Sequence, residues 1–78
     1  MLMIQVYEWL NREKQRFYKI TVQRKGIADI VLNYHWGSCN SNRGGNKNLY
    51  VREESEAENY IRQMMKRRKS RGYDLITP

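Results

Sequence analysis

The chain has 78 residues, 40% of them hydrophobic, and its aromatic side chains are two Trp, six Tyr and one Phe. A chain of this length forms one domain, residues 1–78, and buries only roughly 60% of its unfolded surface, which leaves little room for a deep catalytic pocket. Fifteen Lys and Arg residues against eight Asp and Glu residues give a net charge of +7. This excess favours a polyanionic partner: nucleic acid, an acidic protein or an anionic membrane surface.

The cysteine count and the N-terminal run bear on compartment and cofactors. The single Cys39 excludes an internal disulfide, and no set of Cys and His has zinc-binding spacing, so we expect no metal and no cofactor. The N-terminal run Met1–Val6 carries no basic leader, and Gln5 and Glu8 interrupt the apolar stretch too early for a secretory segment. No segment approaches membrane-spanning length. The sequence therefore predicts a soluble, cytoplasmic protein.

Three strands are predicted in the first half of the chain. The middle one alternates cleanly, with Tyr18, Ile20 and Val22 on one face and polar residues on the other, as a half-buried strand requires. The polar cluster Asn11–Lys14 and the pair Lys25-Gly26 are typical of turns. Short turns between consecutive strands predict an antiparallel meander. The three predicted strands span residues 3–10, 16–24 and 30–36.

The segment Gly37–Asn48 interrupts this alternation. It has three glycines and no aliphatic or aromatic residue, which predicts an exposed loop, followed by a short fourth strand at Leu49–Val51. Glycines allow backbone amides to approach a phosphate closely, and Arg43 and Lys47 would add charge-assisted hydrogen bonds. The alternative is a mobile, solvated loop, and the sequence does not decide between the two.

A helix is predicted after the fourth strand. Ser55 and Glu58 have the spacing of a capping box, and Gly72 is suited to end the helix. Residues Tyr73–Ile76 are expected to return as an edge strand. The predicted fold is α+β, an antiparallel sheet of four or five strands with one helix packed across it. The face predicted to cover the sheet comprises Ala57, Tyr60, Ile61, Met64, Met65 and the aliphatic stem of Arg68.

Cations crowd the end of this helix, with six Lys or Arg between positions 62 and 71. The helix dipole accounts for a few of them, but not for so many mutually repelling charges. A phosphate-facing patch that includes Arg67 and Arg71 is one interpretation, and a solvated face is the other. Arg12, Lys14 and Arg16 cluster at the first turn and would extend the patch if that turn lay beside the glycine loop.

Trp36 allows two interpretations. It continues the two-residue period of Leu32 and Tyr34, which indicates a core residue at the end of the sheet. It also borders the glycine loop, where an indole can be half exposed and can stack on a base or sugar.

Cys39 and His35 lie four residues apart across a flexible turn. That spacing supports no fixed catalytic pair, so no catalytic residue and no enzyme activity are predicted.

The tract Asn33-Tyr34-His35-Trp36-Gly37-Ser38 resembles the WGR domain, a module of several poly(ADP-ribose) polymerases and of small bacterial proteins. Arg16-Phe17-Tyr18, Gly44-Gly45-Asn46 and the exit Gly72-Tyr73 also match, so the resemblance spans nearly the whole chain. It implies an antiparallel sheet with one helix across it, and binding of broken DNA ends with Trp36 packing near the terminal nucleotide. By the same resemblance, Tyr73 presents its ring near Trp36.

Two positions depart from the family pattern. Ser38 replaces the motif arginine, and Asn40 replaces the glycine that usually follows. In the polymerases that arginine helps couple DNA binding to a catalytic domain, so its replacement argues against a coupling role here.

We therefore expect a non-enzymatic module that binds nucleic acid, with DNA ends, nicks or junctions as leading ligands and RNA as a further possibility. The alternative is a protein-interaction module that docks on an acidic protein through the same cations or through the edge at Leu75-Ile76. The predicted binding residues are Trp36, Gly37, Arg43, Lys47, Arg16, Lys14, Arg67, Arg71 and Tyr73.

Overall fold

The computed structural model describes residues 3–77. Met1 and Leu2, which begin the N-terminal run considered above, and Pro78 lie outside this range. The three strands and the helix predicted from the sequence are confirmed. In chain order the elements are β1 (Met3–Asn11), β2 (Arg16–Gly26), β3 (Asp29–Ser38), β4 (Gly44–Val51), α1 (Glu54–Ser70) and β5 (Asp74–Leu75).

The strands form one antiparallel sheet in the order β4-β3-β2-β1-β5. The first four strands follow one another as a meander, as expected from their short connections. The chain then crosses one face of the sheet as α1, and β5 pairs with β1 at Trp9 and Leu10. The predicted α+β class, a sheet with one helix across it, is confirmed.

The core lies between the helix and one face of the sheet. Ile20, Val22 and Leu32 are fully buried there, as the two-residue alternation of β2 and β3 predicted. The helix covers them with Ala57 and Ile61. Burying an aliphatic side chain of this size contributes about 1.5–3 kcal/mol. The opposite face of the sheet carries the alternate residues and has no helix over it among residues 3–77.

The start of the helix differs from the prediction. The N-cap is Glu53, with no capping hydrogen bond from its side chain, and Ser55 already lies inside the helix. The predicted capping box at Ser55 and Glu58 is therefore wrong. The first turn is instead tied to the sheet: Arg24 Nε donates to Glu54 Oε1 and Oε2 at 2.9 and 2.8 Å. This long-range pair has no local sequence signature.

The end of the helix is as predicted. Gly72 adopts a φ of +83°, which is left-handed backbone that glycine adopts without steric cost. The amide of Tyr73 donates to the carbonyl of Arg68 at 2.9 Å, and that of Gly72 to the carbonyl of Lys69 at 3.1 Å. This is a Schellman motif, and it directs the chain back to the sheet, where β5 spans Asp74–Leu75, less than the four residues predicted.

The segment predicted as a loop is shorter than expected. β4 begins at Gly44, so only residues 39–43 lie between β3 and β4. Gly44 and Gly45 pair with Gly37 and Trp36 of β3. The pairing is made by the backbone at the edge of the sheet, where polar side chains remain in solvent. For this reason the alternation that usually marks a strand is missing.

Candidate functional site

A groove of about 790 Å³ opens where the Trp36 end of the sheet meets the end of the helix. Its walls come from the turn between β1 and β2, the loop between β3 and β4, and the last turn of α1. We call it the Trp36 groove. Its lining residues are Lys14, Arg16, Phe17, Tyr18, Trp36, Gly37, Ser38, Ser41, Arg43, Gly44, Arg68, Arg71 and Tyr73.

Backbone contacts hold the turn and the loop against each other. The amide of Cys39 donates to the carbonyl of Gln15 at 2.8 Å, across the end of the sheet. The loop itself is closed by the amide of Ser38, which donates to the carbonyl of Arg43 at 3.0 Å. These bonds place Lys14 and Arg16 beside Arg43, the adjacency that the sequence alone could not establish.

Asn11 joins the turn to the end of the helix. It is 4% exposed and is the one buried polar residue among those the structure describes. Its Oδ1 accepts from the amide of Lys14 at 2.9 Å, and its Nδ2 donates to the carbonyl of Arg71 at 3.2 Å. A single buried amide therefore fixes two walls of the Trp36 groove relative to each other.

Aromatic rings and one guanidinium form a continuous stack in the groove. Trp36 stacks on Tyr18, with ring centroids 6.0 Å apart and planes 16° from parallel. The Cζ of Arg68 lies 4.4 Å from the Tyr18 centroid and 5.1 Å from that of Tyr73. The order of the stack is therefore Trp36, Tyr18, Arg68, Tyr73. Such contacts with aromatic faces hold a guanidinium in a fixed orientation.

The structure supports both interpretations of Trp36, as a core residue and as a residue that faces a possible ligand. Its indole is half-buried and packs against the hydrophobic core, and it also lines the groove. Gly45 faces it on the neighbouring strand, where a Cβ would lie 2.9 Å from Trp36 Cζ2. The indole therefore occupies space that a side chain at position 45 would need.

The groove is strongly electropositive. Five of its lining residues are cations, Lys14, Arg16, Arg43, Arg68 and Arg71, and none of those described is acidic. Burial raises the pKa of the Tyr18 hydroxyl, although the neighbouring Arg68 charge opposes that rise. The phenol is therefore neutral at physiological pH and acts as a stacking surface and hydrogen-bonding group.

The Nε of Arg68 is buried and has no hydrogen-bond partner among residues 3–77. An unsatisfied buried donor costs about 1–3 kcal/mol. The flanking rings of Tyr18 and Tyr73 offset part of this cost through cation–π contacts. Arg68 is thus a cation held in place within the groove, whereas Lys14, Arg16, Arg43 and Arg71 are exposed.

Seven of the nine residues predicted to bind line this groove: Lys14, Arg16, Trp36, Gly37, Arg43, Arg71 and Tyr73. Lys47 and Arg67 do not. Lys47 lies in β4, contrary to its predicted place in a loop, and its Nζ sits 5.5 Å from the centroid of the Tyr34 ring. Arg67 is exposed one position before Arg68, about 100° around the helix.

Sequence reasoning missed the roles of Arg68 and Asn11. Arg68 is counted among the six helix-end cations, with its stem over the sheet, but is not among the predicted binding residues, and Asn11 is given only a place in the turn. The signal available for Asn11 was its position at the start of a turn, where Asn side chains often accept a backbone hydrogen bond. Nothing local indicates its bond to Arg71, 60 positions away.

Cys39 and His35 lie outside the lining of the Trp36 groove. Cys39 is exposed in the loop, and the His35 ring packs on Phe17 with centroids 5.2 Å apart. Across residues 3–77 there is no group of three or more His, Cys, Asp or Glu residues that could hold a metal ion. Within the same residues, no helix has the length and apolar character needed to cross a membrane.

Comparison of the chain with known families identifies one module. The family model for the WGR domain matches residues 5–77, nearly the whole chain. No curated protein and no solved structure gave a match. WGR domains are modules of the nucleic-acid-binding type and not catalytic domains. The chain belongs to the WGR domain family.

Proposed function

We propose that this WGR domain is a non-enzymatic module that binds DNA in the Trp36 groove, at ends, nicks or single-strand junctions. The observation that carries the proposal is the composition of the groove, five cations and an aromatic stack with no acidic residue among its described lining. Exposed cations neutralise phosphates and release counterions. An aromatic platform adds stacking that tolerates any base.

The half-buried position of Trp36 favours a broken or open structure over continuous duplex. In an intact helix the bases are stacked on both sides, so an indole at the groove can reach a base or sugar face only where stacking is interrupted. No element reads base edges from a major groove, since neither a helix-turn-helix nor a zinc finger is present among residues 3–77. We therefore propose recognition of DNA structure and not of base sequence.

Arg68 has a distinct role in this proposal. Because Tyr18 and Tyr73 fix its guanidinium, little side-chain entropy is lost when its outer nitrogens meet a phosphate.

Ser38, at the position of the family's arginine, closes the loop through its backbone. Because Ser38 lacks the guanidinium of the family's motif arginine, the proposal gives it no role in coupling to a catalytic domain. The exposed free thiol of Cys39 supports a reducing compartment such as the cytoplasm.

A gel-shift panel tests the proposal. Blunt duplex, nicked duplex, single-stranded DNA and RNA are compared at low salt for the wild-type chain, Trp36→Ala and Arg43→Ala. We expect binding to DNA, a preference for ends or nicks, and weaker binding by both variants. No binding of the wild type to any DNA would refute the proposal. Tighter binding to RNA than to DNA would identify RNA as the ligand in place of DNA.

A protein partner is the second candidate, supported by exposed apolar residues along one edge of the sheet. Met3 and Ile4 of β1 are each 53% exposed, and Leu75 and Ile76 are 44% and 47% exposed. Such an edge can add a strand from a partner, and the cations would favour an acidic one. A pull-down that returns one acidic protein and survives nuclease treatment would support this function.

A further inference from the structure

A smaller cavity lies on the other side of the loop between β3 and β4, on the sheet face that the helix leaves uncovered. It has a volume of about 340 Å³. His35 and Asn46 pair across β3 and β4 on this face, and Phe17 lies beside His35. We call it the His35 cavity. Its lining residues are Phe17, His35, Trp36, Ser38, Ser41, Asn42, Arg43, Gly44, Gly45 and Asn46.

The His35 cavity adjoins the Trp36 groove. Trp36, Arg43 and Gly44 line both. Between them runs the bare edge of β4, where Gly44 and Gly45 carry no side chains and the strand pairs on one side only. A flexible polymer leaving the groove can therefore pass over this edge beside the Trp36 indole, with no side chain at positions 44 and 45 in its way.

The chemistry of the cavity differs from that of the groove. Arg43 is its one charged lining residue, whereas the groove has five. The others include two amides, Asn42 and Asn46, and the aromatic pair of Phe17 and His35, whose planes meet at 77°. Amides provide a donor and an acceptor that match the edge of an unpaired base, and aromatic rings provide stacking surfaces.

From this juxtaposition we propose that the His35 cavity is a subsite for an unpaired base. A single-stranded tail would continue from a DNA end held in the Trp36 groove, pass over Gly44-Gly45, and place a base against His35 and Asn46. This inference rests on the proposed DNA binding, and it adds a ligand class: ends or junctions that carry an unpaired strand.

Binding of tailed and blunt duplexes tests the subsite. The tailed duplexes carry about four unpaired thymidines on the 3′ or the 5′ strand, near the lower end of site sizes for single strands. A third set carries an abasic tail of equal length, which keeps the phosphates and removes the bases. We expect one thymidine tail to raise affinity over the blunt duplex by about five- to tenfold, the gain of one stacked base, and the abasic tail to give no such gain.

Matched variants locate the effect. His35→Ala and Asn46→Ala should reduce the gain from the tail to less than about twofold while leaving blunt-end affinity unchanged. Asn48→Ala is the control, because Asn48 lies two positions along β4 from Asn46, on the same face, and outside the cavity. It should retain the full gain. All three residues are exposed, so we expect each variant to fold, and thermal melting checks this.

Each outcome has a definite meaning. An equal gain from the abasic tail, or a full gain in both His35→Ala and Asn46→Ala, would overturn the subsite while leaving DNA binding by the groove intact. Absence of binding to blunt and tailed duplexes alike would refute the proposed function, and the subsite with it.

Discussion

Replacing Arg68 by Met separates the stability of the fold from its proposed binding activity. The guanidinium lies between Tyr18 and Tyr73, at 4.4 and 5.1 Å from their centroids. Losing both cation–π contacts costs about 1–4 kcal/mol. Removing the unpaired Nε recovers about 1–3 kcal/mol, and a methionine sulfur still packs well against aromatic rings. We expect the free energy of unfolding to change by less than about 1 kcal/mol.

The effect on binding should be much larger. If Arg68 contacts one phosphate, its loss lowers the slope of log affinity against log salt by about 0.9. The corresponding loss of affinity at about 0.1 M salt is roughly eightfold. Both quantities follow from fluorescence anisotropy titrations with a labelled duplex end, and urea unfolding gives the stability.

Lys66→Met is the matched control for this prediction. It removes the same charge from the same helix, two positions away, at an exposed residue outside the groove lining. It should change the affinity less than about twofold. If Arg68→Met and Lys66→Met weakened binding equally, the fixed guanidinium would have no special role. If Arg68→Met unfolded the chain, the cation–π contacts of Arg68 would stabilise the fold by more than its unpaired Nε costs, and the stability prediction would be wrong.

Three further predictions follow from individual contacts. Gly72→Ala should lower the free energy of unfolding by about 1–2 kcal/mol, measured by urea, because φ is +83° there and an L side chain is strained in left-handed backbone; an unchanged midpoint would contradict the Schellman ending. Gly45→Ala should shift the Trp36 fluorescence and weaken DNA binding, since its Cβ would lie 2.9 Å from the indole; an unaltered spectrum would contradict that packing. The hydrogen bond from Arg24 lowers the pKa of the Glu54 carboxyl, so the pair contributes stability above the carboxyl's unfolded pKa and loses it as pH falls through the lower folded pKa. Glu54→Gln should flatten this acid limb of a stability–pH profile, and an identical limb would contradict the role of the pair.

The fold was largely predictable because its core follows simple periodicities. The alternation of Tyr18, Ile20 and Val22 identified the buried face of β2, and Gly72 identified the end of the helix. The prediction failed where tertiary contacts replace local signals. β4 carries glycines and amides through Asn48 because it is an edge strand beneath the Trp36 indole, and the helix start is held by Arg24 in place of a cap.

The site was predictable in composition but not in arrangement. A cationic excess and the Trp36-Gly37 step indicated a basic, aromatic surface, and most of the predicted residues do line one groove. Which helix cations face it depends on rotation about the helix axis, so Arg68 was missed and Arg67 included. The bond from Asn11 to the carbonyl of Arg71 spans 60 positions, and no local pattern predicts it.

A salt titration of binding to a blunt or nicked duplex, from about 50 to 200 mM salt, tests the central claim most directly. Five groove cations set an upper limit of roughly 4.5 on the slope they contribute to log affinity against log salt. We predict a steep slope within that limit for the wild type, and one lower by about 0.9 for Arg43→Ala. Binding that is absent at low salt, or that does not change with salt, would contradict DNA recognition by the Trp36 groove.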